Sequence, residues 1–155
     1  MSLKKELIIL TGPTAVGKTA LSILLAKKIG GEIISADSMQ VYRYLDIGSA
    51  KITEAEMEGV PHHLIDALFP GQDFNVFRFQ QMAKEAAAGI YERGHIPIVA
   101  GGTGFYIQAL LYDIDFSEEG DNSGVRAALE EEARTRGSGY LHERLKLIDP
   151  ESAAA

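Results

Sequence analysis

The 155-residue sequence contains no cysteine, which removes disulfides, zinc ribbons and thiol catalysis and leaves the redox compartment unspecified. Long apolar runs are also missing: none approaches the roughly 20 residues that cross a bilayer. The apolar stretch behind Lys4 and Lys5 ends after four residues, Leu7 to Leu10, too soon for a secretory signal. A cytoplasmic protein with no membrane partner is the expectation. Basic charge is in deficit, with 15 Lys and Arg against 22 Asp and Glu and a net charge of −7. That balance excludes a protein that grips nucleic acid by bulk electrostatics, although not one with a local basic site. The remaining composition, 46% hydrophobic and 24% charged, is that of a soluble globular chain. At this length one domain can bury roughly 68–70% of its extended surface.

What is present is an alternation of strand and helix patterns. Leu7 to Leu10 read as a short, fully buried strand, and Leu21, Leu24, Leu25 and Ile29 recur at helical spacing before Gly30-Gly31 stops the helix. Glu32 to Asp37 read as a second strand, which makes a strand-helix-strand crossover and hence a parallel sheet. His62 to Asp66 form a third strand candidate. A long helix starts near Asn75, carries Val76, Phe79, Met82, Ala83, Ala86 and Ile90 on one face, and stops at Gly94. Ile96 to Ala100 give a fourth strand, followed by Gly101-Gly102-Thr103-Gly104 and a helix from Phe105 to Tyr112. The pattern predicts a doubly wound parallel α/β sheet with its functional loops at the C-terminal ends of the strands. Beyond residue 113 an acidic loop leads to two helix candidates, 125–137 and 139–149, and Pro150 opens a further turn. The expected division is an α/β core over residues 1–115 and a small helical appendage over 116–155.

The sharpest local signal is Gly12-Pro13-Thr14-Ala15-Val16-Gly17-Lys18-Thr19, which satisfies G-x-x-x-x-G-K-[ST] between a strand and a helix. Glycines let backbone N–H groups ring an anion and the helix N-terminus adds partial positive charge. Lys18 can neutralise outer phosphate oxygens, and the Thr19 hydroxyl can ligate Mg²⁺. A P-loop NTPase-like core that binds a diphosphate or triphosphate follows, but not the reaction. A second constellation runs from Ser35 to Lys51. Asp37 falls at a strand's C-terminal end, where a carboxylate can reach a substrate or merely make a turn. Ser38, Gln40, Tyr42, Arg43, Asp46 and Lys51 make the loop after it rich in donors and acceptors. Neighbouring His62 and His63 point to opposite faces of a strand and cannot chelate one ion, so a structural role for one of them is expected. His95 and His142 read as isolated surface residues, Glu130 to Glu132 as a solvated helix face, and Phe105 and Tyr106 as packing residues.

The runs GPTAVGKT, DSMQVYRYLDIGSAK, GVPHHLID and GHIPIVAGGTGFYIQALL occur in this order, and together they resemble the tRNA dimethylallyltransferase family, also called tRNA isopentenyltransferases. The resemblance covers about residues 7 to 151. It implies that the loop Gly12 to Thr19 holds the diphosphate of dimethylallyl diphosphate, that this diphosphate is a leaving group, and that the prenyl group goes to N6 of the adenine 3′ to the anticodon in tRNA. Asp37 matches the family's general base, Thr14 a residue beside the breaking bond, and Thr19 the Mg²⁺ ligand. Ser38, Met39 and Gln40 match the stretch that meets the target nucleotide, with Gln40 equipped to read an adenine edge. Thr103 matches a residue on the channel where base and donor meet, and Arg126 resembles a tRNA-contacting arginine. The implied partners are dimethylallyl diphosphate and the tRNA anticodon stem-loop, bound by a monomer. Tyr44 stands where the family more often has a small residue and Ser49 where threonine is usual. Family members are about twice as long, so the chain corresponds to an N-terminal half that is expected to be inactive alone. The rival reading is a small-molecule kinase on the same loop. No arginine-bearing lid is evident, and the fourth strand ends in AGGTG instead of a Walker-type carboxylate. A nucleotide switch would need a guanine-reading Asn-Lys-x-Asp, and the sequence has none.

Overall fold

Four parallel strands order the N-terminal part of the chain in a computed structural model that describes residues 6–116 and 123–154. In chain order the elements are β1 (Ile8–Thr11), α1 (Lys18–Ile29), β2 (Gly31–Ala36), α2 (Glu54–Met57), β3 (His62–His63), α3 (Val76–Glu92), β4 (Ile96–Gly101) and α4 (Gly104–Leu111). They belong to a first compact unit, Met1–Ile114. The second unit, Asp115–Ala155, contains α5 (Ser123–Arg136), α6 (Ser138–Ile148) and α7 (Pro150–Ala154). Part of the acidic loop expected after residue 113 lies outside the described residues. Of the helix-face glutamates, Glu130 pairs with Arg126 at 3.0 Å, Glu131 with Arg134, and Glu132 with Arg144 at 2.8 Å. Among the described residues no helix is long and apolar enough to cross a membrane.

The sheet order is β1-β4-β2-β3, and every pairing is parallel. Because successive strand residues face opposite sides, β2 and β4 feed two cores. Ile33 and Ile98 pack with Ile23 and Ala26 of α1 on one side, while Ile34 and Val99 pack with Phe79, Ala83 and Ile90 of α3 and Tyr106 and Ile107 of α4 on the other. Tyr106 stacks on Phe79 with ring centroids 4.8 Å apart, as packing aromatics do.

The structure corrects the readings of β1 and β3. β1 is not fully buried, because the crossover through α1 skips one position and β4 fills it. Among the described residues β1 has a strand on one side only, with Ile8, Ile9 and Leu10 partly buried. The buried face of α1 is Ser22, Ile23 and Ala26, whereas Leu21 and Leu24 are exposed. The helical spacing holds, and of the four apolar positions Leu25 and Ile29 pack against the core beside the small Ser22 and Ala26. β3 spans two residues instead of five, because Leu64 (φ 63°) and Asp66 (φ 51°) turn the backbone left-handed.

His95 is not isolated. The Glu32 side chain, 2% exposed on β2, accepts from Arg93 Nε at 2.8 Å and Nη2 at 2.7 Å, and lies 2.7 Å from both His63 Nε2 and His95 Nδ1. One buried carboxylate thus ties together β2, β3, the end of α3 and the turn into β4. Arg93 is the main cause that holds its pKa down, from an ordinary 4.5 to about 2; burial opposes the shift, and the two histidines assist it. A carboxyl with a depressed folded-state pKa contributes stability that is complete above its unfolded value and is lost as pH falls through the folded one. The full shift corresponds to about 3 kcal/mol. Urea unfolding at stepped pH is expected to show stability falling between pH 5 and 2 in the native chain. Glu32→Gln should be less stable at pH 7 by about 3 kcal/mol, with a flattened acid limb. Parallel acid limbs in the two proteins would contradict the clamp.

Candidate active site

Three segments leave the C-terminal ends of β1, β2 and β4 and surround a cleft of about 520 Å³. Thr14, Ala15, Gly17, Lys18 and Thr19 line it from the loop after β1. Ser35, Asp37, Gln40, Ser49, Ala50 and Ile52 line it from β2 and the segment that follows, and Ala100, Gly101 and Gly102 from β4. Ala20 and Ser22 of α1, with Ile33, Ile65 and His62, complete the wall, so apolar side chains lie beside the polar loop.

The loop after β1 is built to leave backbone donors open. Gly17 occupies the N-cap of α1 at φ 86°, a left-handed conformation that glycine adopts without penalty, and no side chain caps the helix. The first-turn N–H groups of α1 are therefore uncommitted to any capping side chain. α2 and α3, by contrast, are capped by Thr53 and Asn75. The helix dipole adds to the anion preference, and Lys27 and Lys28 sit at its opposite end. The Lys18 ammonium donates to the Pro13 carbonyl at 2.5 Å, folded back across the loop. Gly101 permits a close approach: a Cβ there would stand 2.2 Å from the Ala36 carbonyl oxygen, so only glycine lets β4 pass the end of β2.

Asp37 follows β2 directly. Its Oδ1 accepts from the N–H of Met39 at 2.8 Å and of Gln40 at 3.2 Å, while Oδ2 has no hydrogen bond to the described residues. The side chain thus makes the turn and also presents an unshared oxygen on the cleft. Gln40 spans the site: its Nε2 donates to Ala50 O at 3.1 Å and its Oε1 accepts from Ser35 Oγ at 3.5 Å. Lys51, 4% exposed, donates to Tyr42 O, Asp46 Oδ1 and Asp66 Oδ1, each at 2.7 Å. Burial disfavours its ammonium, but Asp46 and Asp66 outweigh that and hold its pKa above the ordinary value. The loop after β2 is therefore cross-braced by Lys51, so part of the donor and acceptor wealth read in its sequence is spent within the loop itself. His62 donates from Nδ1 to Val60 O at 2.8 Å, and burial pushes its pKa below the usual histidine value, so it stands neutral at pH 7.

Seven of the expected site residues share the cleft: Thr14, Ala15, Gly17, Lys18, Thr19, Asp37 and Gln40. Gly12, Pro13 and Val16 shape the loop without lining it, and Ser38 and Met39 lie on the Asp37 turn. Thr103 sits one residue past the lining at the N-cap of α4. Arg126 belongs to the second unit, where it pairs with Glu130. Sequence reasoning missed the apolar floor, because Ile52 lies in a segment without periodicity and Ile65 follows a strand that ends after His63, and it missed His62 as a cleft residue. Among the described residues no group of three His, Cys, Asp or Glu side chains is arranged to hold a metal. Mg²⁺ nevertheless suits the oxygen donors at hand, since it needs few protein ligands when phosphates and waters supply the rest.

A parallel sheet with an uncapped glycine loop between β1 and α1 defines the P-loop NTPase-like class. Within that class the chain belongs to the IPP transferase family, whose model matches residues 40–155, with an isopentenyl transferase model matching residues 5–68. It is 61% identical to a tRNA dimethylallyltransferase of Lachnoclostridium phytofermentans over 97% of this chain and 48% of that protein. Its identity to the Bacillus subtilis counterpart is 51%, over 98% and 48%. Among solved structures it resembles the full-length tRNA isopentenylpyrophosphate transferase from Bacillus halodurans at a TM-score of 0.73 and 47% identity, covering 97% of this chain and 50% of that one. It also resembles a eukaryotic dimethylallyltransferase acting on tRNA at 0.76 and 35%, covering 97% and 37%. The chain spans about half the length of the curated relatives it matches.

The bracing by Lys51 gives a direct prediction. Lys51→Ala is expected to lower stability by about 1–2 kcal/mol, a modest figure because Asp46 and Asp66 are solvated. Hydrogen exchange should quicken for amides between residues 40 and 50 while those of β2 and β4 hold. Unchanged protection in that loop would refute the role.

Proposed function

We propose that the chain carries the donor-binding and base-accepting portion of a tRNA dimethylallyltransferase. The observation that carries this reading is one cleft that joins an uncapped phosphate loop, an apolar floor and an unshared carboxylate oxygen. The diphosphate of dimethylallyl diphosphate sits on the N–H groups after Gly12 and on Lys18, which releases Pro13 to reach it. The five-carbon chain lies against Ile33, Ile52 and Ile65. When bound, Mg²⁺ supplies charge neutralisation on the diphosphate, with the Thr19 hydroxyl as its protein ligand.

In the reaction N6 of adenine attacks the allylic carbon. The new C–N bond forms as the C–O bond breaks, and the electron pair leaves with diphosphate. The N6 proton passes to Asp37 Oδ2, because an amine conjugated to a purine is a poor nucleophile until that proton departs. Oδ1, anchored by Met39 and Gln40, keeps the carboxylate aimed. Thr14 lies beside the breaking bond, while Ser38, Met39 and Thr103 border the path of the nucleotide and Arg126 contacts tRNA elsewhere. Gln40 has one further N–H on its amide after the bond to Ala50, and with it can meet the adenine edge without leaving its brace. The relatives reported above are named as transferases, which favours this chemistry over a kinase.

Two variants test the assignment. Lys18→Ala should weaken diphosphate binding in calorimetry by about 1.5–3 kcal/mol, the range for losing a hydrogen bond to a charged group. Asp37→Asn keeps an Oδ1 acceptor for the turn but removes the base. In a polypeptide of the relatives' length that carries this sequence, it should lower kcat by roughly 10²–10⁴ with donor affinity nearly unchanged. Donor affinity falling in step with turnover would make Asp37 a ligand of the donor or its metal instead.

A further inference from the structure

The segment between Gln40 and Ser49, both on the cleft, meets the segment after β3 in an exposed aromatic cluster that the chemistry above does not use. Tyr44 is 75% exposed and Phe69 48%, with ring centroids 6.3 Å apart and planes at 42°. The Arg43 guanidinium lies over the Phe69 ring, 4.7 Å from its centroid. These groups are held and not merely left outside. Arg43 donates from Nε to Asp66 O at 2.7 Å and from its backbone N–H to Leu68 O at 2.8 Å, and the Phe69 N–H donates to Gln72 Oε1 at 2.7 Å. Lys51 pins Asp46 and Asp66 on either side. Tyr44 adopts φ 65°, where a side chain costs conformational energy and glycine would not. A large ring is therefore held outward in a conformation that would suit glycine better, on a braced loop whose two ends, Gln40 and Ser49, line the cleft.

We infer that Tyr44, Phe69 and Arg43 form a stacking platform for an unpaired RNA base beside the one that enters the cleft. The inference rests on the proposed function, because it is the RNA reading of that cleft which brings bases to this loop. Aromatic faces and a guanidinium plane are the chemistry by which proteins hold splayed single-stranded bases. Charge points the same way. A chain of net charge −7 gains little from counterion release, so its contacts with RNA must draw on stacking.

The test is an NMR and anisotropy titration of the 155-residue chain with a fluorescein-labelled, adenosine-rich single-stranded heptanucleotide RNA. Ring resonances of Tyr44 and Phe69 are expected to move upfield. Tyr44→Gly should lower RNA affinity at least fivefold, the lower end of the effect of one stacked base. Tyr44→Phe should keep the affinity. The glycine variant suits the backbone, so its unfolding midpoint should not fall, and lost binding would not reflect lost fold. Shifts at Asp37 and Gln40 with Tyr44 and Phe69 unmoved would overturn the platform and leave the proposed function standing. Shifts at Tyr44 and Phe69 alone would support the platform and count against base entry at the cleft. No shift at either place would overturn both. Tyr44 and Phe69 signals that respond to the chain's own concentration but not to RNA would mark a protein contact and overturn the inference.

Discussion

Parallel pairing of β4 between β1 and β2 is the constraint on which the site depends. The register sets Thr11, Gly101 and Ala36 side by side, so three strands end on one row and their loops emerge together on one side of the sheet. Gly101 makes the row possible, since any Cβ would strike the Ala36 carbonyl. From this arrangement the phosphate loop, the Asp37 turn and the Gly101-Gly102 turn become neighbours, although they are distant in sequence. The same geometry aims the N-terminus of α1 at the cleft and gives an anion there a field as well as hydrogen bonds.

Charge is handled differently inside the sheet and at the cleft. Toward the start of β2, Glu32 is buried with Arg93, His63 and His95 all committed to it, and the result is a lock. At the end of β2, Asp37 commits one oxygen to a turn and keeps the other. Lys51 belongs with Glu32, as a buried ion whose partners are all within the protein, whereas Lys18 has only a loop carbonyl to give up. The contrast separates groups that hold the fold from groups that can exchange a protein partner for a ligand. Breaking a pair of the first kind leaves a charge without its partner inside the fold, so only the second kind suits a binding cycle.

Much of this was legible in the sequence where the signal is local. The phosphate loop is a fixed spacing of glycines with Lys-Thr, the Asn75 cap and Gly94 stop bound α3, and the alternation of strands and helices implies the parallel sheet. The resemblance to a family rested on the same local runs. What escaped depends on tertiary placement. Four apolar residues in a row do not tell how many neighbours a strand has, and β1 pairs with β4 alone among the described residues. Helical spacing alone did not say that Ser22, Ile23 and Ala26 would be the buried side of α1. His63 and His95 are far apart in the chain, and only the sheet brings them to one carboxylate. Ile52 carries no periodicity and Ile65 lies beyond the end of the short β3, which hid the apolar floor.

The central claim is that the cleft is built for a diphosphate bearing a short apolar chain. Calorimetry of this chain with Mg²⁺ and dimethylallyl diphosphate, inorganic diphosphate or ATP tests it most directly. Dimethylallyl diphosphate should bind roughly tenfold or more tighter than inorganic diphosphate, the effect of burying a few methylene equivalents on the isoleucine floor, and tighter than ATP. Equal affinity for the two diphosphates, or a preference for ATP, would contradict the account.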